Sequence, residues 1–168
     1  MFQIGTQVVY GLHGICTVTE TEERIVDRKQ VLYLVLEPIG QKGSKFYVPV
    51  HNENAMNKLR KLPDRTELED LLSSETVKED YWIPDENRRK QLYRELIADC
   101  DQTSMLRMIR TLYHQKRALS SMGRKFHICD DNFLRHAEKL ICSEISAIME
   151  IEYDAAKRYL RNRLVEEK

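Results

Sequence analysis

The stretch VVYGLHGICTV, residues 8–18, decides the fold of the first part of the chain. β-Branched and aromatic residues on both sides of its centre favour strands, yet the run breaks at Gly11-Leu-His-Gly14 and then resumes. Glycine adopts backbone angles that β-branched residues resist, so Gly11 and Gly14 predict a tight reversal between two strands. His13 is expected to lie at this turn.

The first sixty residues continue the same pattern. Four runs rich in Val, Ile, Tyr and Thr are separated by turns that contain glycine or charged residues: TQVVYG, GICTVTETEERIV, QVLYLVLEPI and KFYVPV. This spacing predicts a small, strongly bent antiparallel sheet or barrel. Pro49 is expected to end the fourth strand.

From residue 51 the apolar period becomes helical. HNENAMNKLRKL predicts a short helix or turn that leads to a last strand, and RTELEDLLSSE predicts a helix. The polar, acidic stretch from Ser73 to Pro84 is interpreted as a linker, with the domain boundary near residue 76. We therefore predict two domains, residues 1–75 and 76–168.

The second domain is predicted to contain four helices. Asp85 caps the first, which continues to Cys100, and Asp101 or Thr103 starts the second, which ends near Gly123. The third is NFLRHAEKLICSEISAIME, capped by Asp130 or Asp131, and the fourth is EYDAAKRYLRNRLVEEK. Four helices with short connections predict a compact all-α domain.

Composition narrows the class of protein. The 168 residues are 42% hydrophobic and 32% charged, which is typical of a globular protein. The longest apolar runs fall far short of the about 20 residues that a membrane span needs. The N-terminus lacks the pattern of a secretory signal. We expect a cytoplasmic protein with no membrane partner.

Catalytic and metal-binding patterns are absent from the sequence. There is no CxxC pair, Walker loop, GxGxxG, GxSxG or HExxH motif. One group of possible ligands is close in sequence but does not match the spacing of a zinc site. It consists of His127, Cys129, His136 and Cys142. No enzyme activity, cofactor or metal is predicted, and the cysteines, including Cys16 and Cys100, are expected to be reduced.

The net charge is zero, but the charges are distributed unevenly along the chain. Residues 1–80 carry 10 Lys and Arg against 13 Asp and Glu, whereas residues 81–168 carry 17 against 14. The excess is concentrated in residues 88–125, which hold only three acidic side chains. Their basic residues are Arg88, Arg89, Lys90, Arg94, Arg107, Arg110, Lys116, Arg117, Arg124 and Lys125.

The second predicted helix has one apolar and one basic face. The apolar face carries Met105, Ile109, Leu112 and Leu119, and the basic face carries Arg107, Arg110, His114 and Arg117. A cationic stripe on a rigid helix suits contact with phosphate groups of nucleic acid, which requires no base sequence. The alternative is a merely solvated face.

Trp82, the only tryptophan, precedes a basic helix start. It could stack on a base or wedge into a distorted duplex. It could equally pack between the domains, because aromatic side chains contribute large areas to cores and interfaces.

Together these features resemble the CarD/CdnL family of bacterial RNA polymerase-binding transcription regulators. The resemblance covers nearly the whole chain and includes IGTQVVYGLHGICTV, YLVLEPI, FYVPV, the tryptophan and the basic helical domain. The first pattern reads G-x-x-V-V-Y-x-x-H-G, and the same module occurs in the bacterial transcription-repair coupling factor. FHICDDNFLRHAEKLICSEISAIM is similar to helical segments of members from Gram-positive bacteria.

This resemblance implies an α+β protein of two domains, an N-terminal Tudor-like or SH3-like small β-barrel followed by a C-terminal compact all-α domain. It implies that the barrel docks on the β subunit of RNA polymerase, partly by adding its strand edge to a polymerase strand. It also implies that the helical domain holds the promoter DNA backbone at the upstream edge of the transcription bubble and stabilises the open complex.

Site residues follow by position. Arg24 matches a basic polymerase-contacting residue of the family, and Tyr47 stands where some members have arginine. The implied polymerase-binding residues are Arg24, Tyr47, Val48 and Pro49. The implied DNA-binding residues are Trp82, Arg88, Arg89, Lys90, Arg107, Arg110, Arg117, Arg124 and Lys125. Six positions separate Trp82 from Arg88, whereas some members have W-x-R.

The leading hypothesis is a non-catalytic transcription regulator that is tethered to polymerase through residues 1 to about 60 and makes a weak contact with promoter DNA through its basic helical domain. The alternative is a protein–protein adaptor whose basic face is solvated. A monomer is expected, and dimerisation through an exposed strand edge stays open.

Overall fold

The computed structural model describes residues 1–165. The chain divides into two compact units, Met1–Leu62 and a second unit that begins at Pro63. The first unit is built on strands and the second on helices. The predicted fold class, a small β domain followed by a helical domain, is confirmed.

Five antiparallel strands form the first unit. They are β1 (Gln7–Tyr10), β2 (Ile15–Val26), β3 (Lys29–Pro38), β4 (Phe46–Pro49) and β5 (Leu59–Lys61). Their order in the sheet is β4-β3-β2-β1-β5, so β4 and β5 are its edges. A short helix, α1 (Glu53–Met56), connects β4 to β5, as the sequence predicts.

The reversal predicted at residues 11–14 is confirmed. Gly11 and Gly14 have φ angles of 47° and 77°, and a single turn of 3₁₀ helix between them lets β1 pair with β2. The ring of His13 lies in this turn and packs against Phe46, with ring centroids 4.4 Å apart. The turn thereby aligns Val8 with Cys16, both fully buried in the core of the sheet.

Strands β2 and β3 extend beyond their neighbours as a ribbon. β1 pairs with β2 only up to Thr17, and β4 pairs with β3 from Tyr33 to Leu36. At the tip, Asp27 and Arg28 form a two-residue turn with φ angles of 49° and 62°. Two successive positive φ angles define the hairpin turn that matches the twist of the flanking strands.

Seven helices are described in the chain, and six of them lie in the second unit. The first two are α2 (Arg65–Leu72) and α3 (Glu75–Lys78). Four longer ones follow: α4 (Glu86–Asp99), α5 (Gln102–Ser121), α6 (Ile128–Met149) and α7 (Tyr153–Val165). The last three residues of the predicted fourth helix, 166–168, lie outside the described part of the chain. Within residues 1–165, no helix is both long and apolar enough to span a bilayer.

The structure places the domain boundary earlier than residue 76. α2 and α3 belong to the helical unit, because Leu68, Leu72 and Val77 are buried in its core. The stretch from Ser73 to Pro84 is therefore not a linker. This stretch is polar overall, but its Val77 is fully buried. The boundary between the two units lies between Leu62 and Pro63.

Most helix starts agree with the sequence. The side chains of Asp85 and Asp101 accept hydrogen bonds from backbone amides three residues later, as predicted for caps of α4 and α5. The predicted cap of α6 is wrong. This helix begins at Ile128, and Asp130 and Asp131 lie inside its first turn, where the helix dipole favours negative charge.

The predicted apolar face of α5 is confirmed as core. Met105, Ile109 and Leu112 are at most 1% exposed, and Leu119 is half-buried. The side chains of α6 and α7 that meet this face include Ile145 and Leu160, both fully buried. The elements that carry basic residues are thus fixed to one hydrophobic core.

The ribbon turn yields a stability prediction. Arg28→Gly relieves a left-handed conformation that costs an L side chain energy, and we expect the free energy of unfolding to rise by about 0.5–1 kcal/mol. Hydrogen exchange of the β2 and β3 amides measures it. Lys29→Gly, one residue into the strand, is the control and should lower the same value. A lower value for Arg28→Gly would contradict the prediction.

Candidate functional site

Arg24 lies in an aromatic cluster on the outer face of the sheet. Its guanidinium carbon is 3.8 Å from the ring centroid of Tyr47 and 5.9 Å from that of Tyr33. Its Nε donates to Glu22 Oε1 at 2.7 Å. Strand pairing creates this cluster, since Tyr33 is opposite Glu22, and Tyr47 pairs with Val35 two residues further along β3.

Charge and stacking hold Arg24 in place while leaving it accessible. The hydrogen bond from Arg24 lowers the pKa of Glu22, and the same bond raises the pKa of Arg24. The Arg24 side chain keeps 42% of its surface exposed. Such a pair adds little stability, but a guanidinium that is already stacked and oriented loses less entropy when a partner binds.

Sequence reasoning placed Arg24 and Tyr47 at one site, and the structure brings these two side chains together. It missed Tyr33 and Glu22. Alternation along a strand was the available signal, because residues 22 and 24 must share one face of β2. Ile25 is 82% exposed, and the same alternation turns its side chain to the opposite face of the ribbon.

The predicted role of Val48 in polymerase binding stays a prediction, and the structure limits it to the backbone of Val48. Val48 is fully buried in the core of the sheet, because alternation turns residues 47 and 49 outward and residue 48 inward. Pro49 is half-buried at the end of β4. β4 is an edge strand and pairs only with β3 among the described residues, so its other edge offers backbone groups to a partner strand.

Arg89 is placed inside the helical unit. It is 4% exposed and forms two hydrogen bonds of 2.9 Å to the carboxylate of Asp130. A third nitrogen donates to the carbonyl oxygen of Ile83 at 2.8 Å. The prediction that Arg89 contacts DNA is therefore wrong, because its donors are already used and shielded from solvent.

Trp82 packs within the helical unit. Its ring lies against the hydrophobic core, and the guanidinium carbon of Arg89 is 4.3 Å from the ring centroid. The side chain is half-buried. This contact explains why an aromatic residue stands before α4, and the wedge role of Trp82 stays a prediction.

The predicted basic face of α5 is largely neutralised. Asp80 accepts from Arg110 at 2.9 Å and lies 2.5 Å from Nδ1 of His114. Glu79 forms an ion pair of 3.3 Å with Arg107. Arg110 is 8% exposed, so its predicted DNA contact is wrong. The acidic partners lie about 30 positions away in sequence, so a search limited to neighbouring helical turns could not find them.

Four of the predicted DNA-binding cations stay exposed: Arg88, Arg117, Arg124 and Lys125. Arg107 is half-buried beside the ring of Tyr81, and Lys90 is half-buried in an ion pair with Glu86. Within residues 1–165, no group of three His, Cys, Asp or Glu side chains is placed to hold a metal ion.

Comparison with known families agrees with this geometry. Residues 2–62 match the model of the CarD-like/TRCF RID domain, which spans the whole five-stranded unit. The first unit is thus a domain found in RNA polymerase-interacting regulators. Over residues 2–62 the resemblance to the CarD/CdnL family is confirmed, and the chain carries a CarD-like/TRCF RID domain. No curated protein matches the chain.

The buried ion pair yields a prediction for the helical unit. Arg89→Met leaves the carboxylate of Asp130 buried without its partner, so we expect a loss of about 3–5 kcal/mol in the free energy of unfolding. Urea unfolding followed by circular dichroism at 222 nm measures it. The control, Lys90→Met, removes the adjacent and more exposed pair and should cost under about 1 kcal/mol. Equal losses of unfolding free energy in the two variants would contradict the stabilising role assigned to the buried pair of Arg89 and Asp130.

Proposed function

We propose that this protein is a non-catalytic, cytoplasmic regulator of bacterial transcription that docks on the β subunit of RNA polymerase through residues 1–62. The observation that carries the proposal is the match of these residues to the RID domain, together with the exposed cluster of Arg24, Tyr33 and Tyr47. A stacked cation among aromatic rings is typical of residues that dominate protein interfaces.

Docking combines two kinds of contact. The free edge of β4 adds to a strand of the β subunit through backbone hydrogen bonds, which supply affinity with little dependence on sequence. Arg24 and Tyr47 lie beside that edge and supply the side-chain contacts that select the partner. Strand pairing and the exposed cluster of Arg24, Tyr33 and Tyr47 together fix the direction in which the partner strand binds.

The helical unit contacts promoter DNA at the upstream edge of the transcription bubble and stabilises the open complex. Arg88, Arg117, Arg124 and Lys125 are the exposed cations that can reach the phosphate backbone. Their contact is weak and independent of base sequence. The helical unit is joined through the chain to the unit that docks on polymerase, and this raises the effective concentration of its surface near the promoter, so that weak binding is sufficient.

A second candidate function is an adaptor that does not touch DNA. It is favoured by the acidic partners of Arg107 and Arg110, which remove two cations from the surface expected to bind phosphate. In this case the helical unit would recruit another protein to polymerase. Measurements on promoter complexes distinguish the two functions.

Charge reversal at Arg24 tests the polymerase contact. Arg24→Glu places a second carboxylate beside Glu22 and removes the cation stacked on Tyr47, so we expect binding to the purified β-subunit lobe to weaken at least about tenfold. Isothermal titration calorimetry in moderate salt measures it. Lys42→Glu changes the same charge in an exposed loop of the same unit and should leave affinity within about twofold. Equal weakening in both variants would indicate general charge attraction instead.

The DNA contact is tested by open-complex lifetime. We expect Arg124→Glu/Lys125→Glu to shorten the half-life of a promoter complex several-fold while polymerase binding stays intact, since each lost phosphate contact weakens binding and reduces its salt dependence. The control is Lys139→Glu/Arg158→Glu, which makes the same charge change at exposed positions on α6 and α7 and should leave the half-life unchanged. An unchanged lifetime in the first variant would favour the adaptor.

A further inference from the structure

A groove of about 610 Å³ opens between three helices of the second unit. We call it the three-helix groove. Its walls come from the second half of α5, the first half of α6, and α7. The volume lies within the range of pockets that hold small ligands, which is about 300–1,000 Å³.

The lining of this groove is strongly basic. Five Lys and Arg side chains and two carboxylates contribute to it, which leaves a surplus of positive charge. Both carboxylates are already paired. Asp131 lies 2.8 Å from Lys116 and 2.7 Å from Arg135, and Glu138 lies 3.2 Å from Lys157.

Two guanidinium groups remain for a ligand. Within residues 1–165, neither Arg117 nor Arg161 forms an ion pair with a carboxylate, and both line the groove. The guanidinium carbon of Arg161 is 5.7 Å from the ring centroid of Tyr113. Arginine binds phosphate through two parallel hydrogen bonds, a geometry that lysine does not offer.

Tyr113 supplies a second, independent observation. It lines the groove and is 7% exposed, yet its hydroxyl group has no hydrogen-bond partner in good geometry. Burial, followed by the charge of Glu138 and a weak hydrogen bond to its carboxylate, raises the pKa of Tyr113 above its usual value, so the hydroxyl keeps its proton. A buried hydroxyl that lacks a well-placed acceptor is costly, and a ligand oxygen would provide a better-placed acceptor than Glu138.

We propose that the three-helix groove binds a small molecule that carries linked phosphate groups, such as a nucleoside diphosphate. Arg117 and Arg161 clamp the phosphates, and Ser120 lies in the same wall as a further donor. The inference goes beyond the proposed function, since it requires neither polymerase nor DNA. The groove shares the exposed Arg117 with the proposed DNA surface, whereas Arg161 and the buried Tyr113 belong to the groove alone.

Calorimetric titration of the full chain tests the proposal. The probes are inorganic pyrophosphate and ADP at physiological ionic strength. We expect both to bind the wild-type protein, and Arg161→Glu to weaken binding at least about tenfold, since it removes a bidentate clamp and adds a repulsive charge. Arg158→Glu makes the same charge change on the same helix outside the groove and should stay within about twofold. Circular dichroism checks that both variants are folded.

Three results would overturn the proposal. The first is that the wild-type protein binds neither probe at millimolar concentration. The second is an equal loss of affinity in both variants, which would indicate general attraction between charges. The third is that only duplex DNA binds in a manner that depends on Arg161, which would assign the groove to nucleic acid. None of these results bears on polymerase docking, which Arg24→Glu tests separately.

Discussion

Arg89 and Asp130 are both buried, and each supplies the opposite charge that compensates for the burial of the other. Two hydrogen bonds of 2.9 Å join α4 to the first turn of α6, while the same guanidinium binds backbone carbonyls at Ile83 and Pro84 and covers the ring of Trp82. One side chain therefore fixes the entry of the chain into α4 and the position of α6. Such a pair fixes the geometry of the helices more than it adds stability, but removal of either partner strongly lowers the free energy of unfolding.

The helical unit distributes its positive charge unevenly. Glu79 and Asp80 form ion pairs with Arg107 and Arg110, two of the cations on the predicted basic face of α5. Other cations stay exposed after α5, or line the three-helix groove, where the carboxylates are outnumbered. Net charge therefore indicates little about where an anion binds, because a local surplus after pairing is what an incoming phosphate meets.

The apolar periodicity and the turn residues of the sequence were sufficient to predict the strands, the reversal at Gly11 and Gly14, and the four long helices. They failed where a polar stretch hides one buried side chain, as at Val77, and where ion partners are far apart in sequence, as for Arg89 and Asp130. Arg24 and Tyr47 came from the family resemblance, while the stacking between them follows from strand pairing. The groove was not predictable, since its lining comes from three helices whose packing no local pattern describes.

The central claim is that the first unit docks on polymerase through β4 and the neighbouring face of the sheet. Hydrogen exchange of the full chain, followed by mass spectrometry with and without the β-subunit lobe, tests it most directly. We predict slower amide exchange in residues 20–26 and 45–48 on binding, with α5 to α7 unchanged. Protection confined to the helical unit, with β2 and β4 exchanging as in the free protein, would contradict the account.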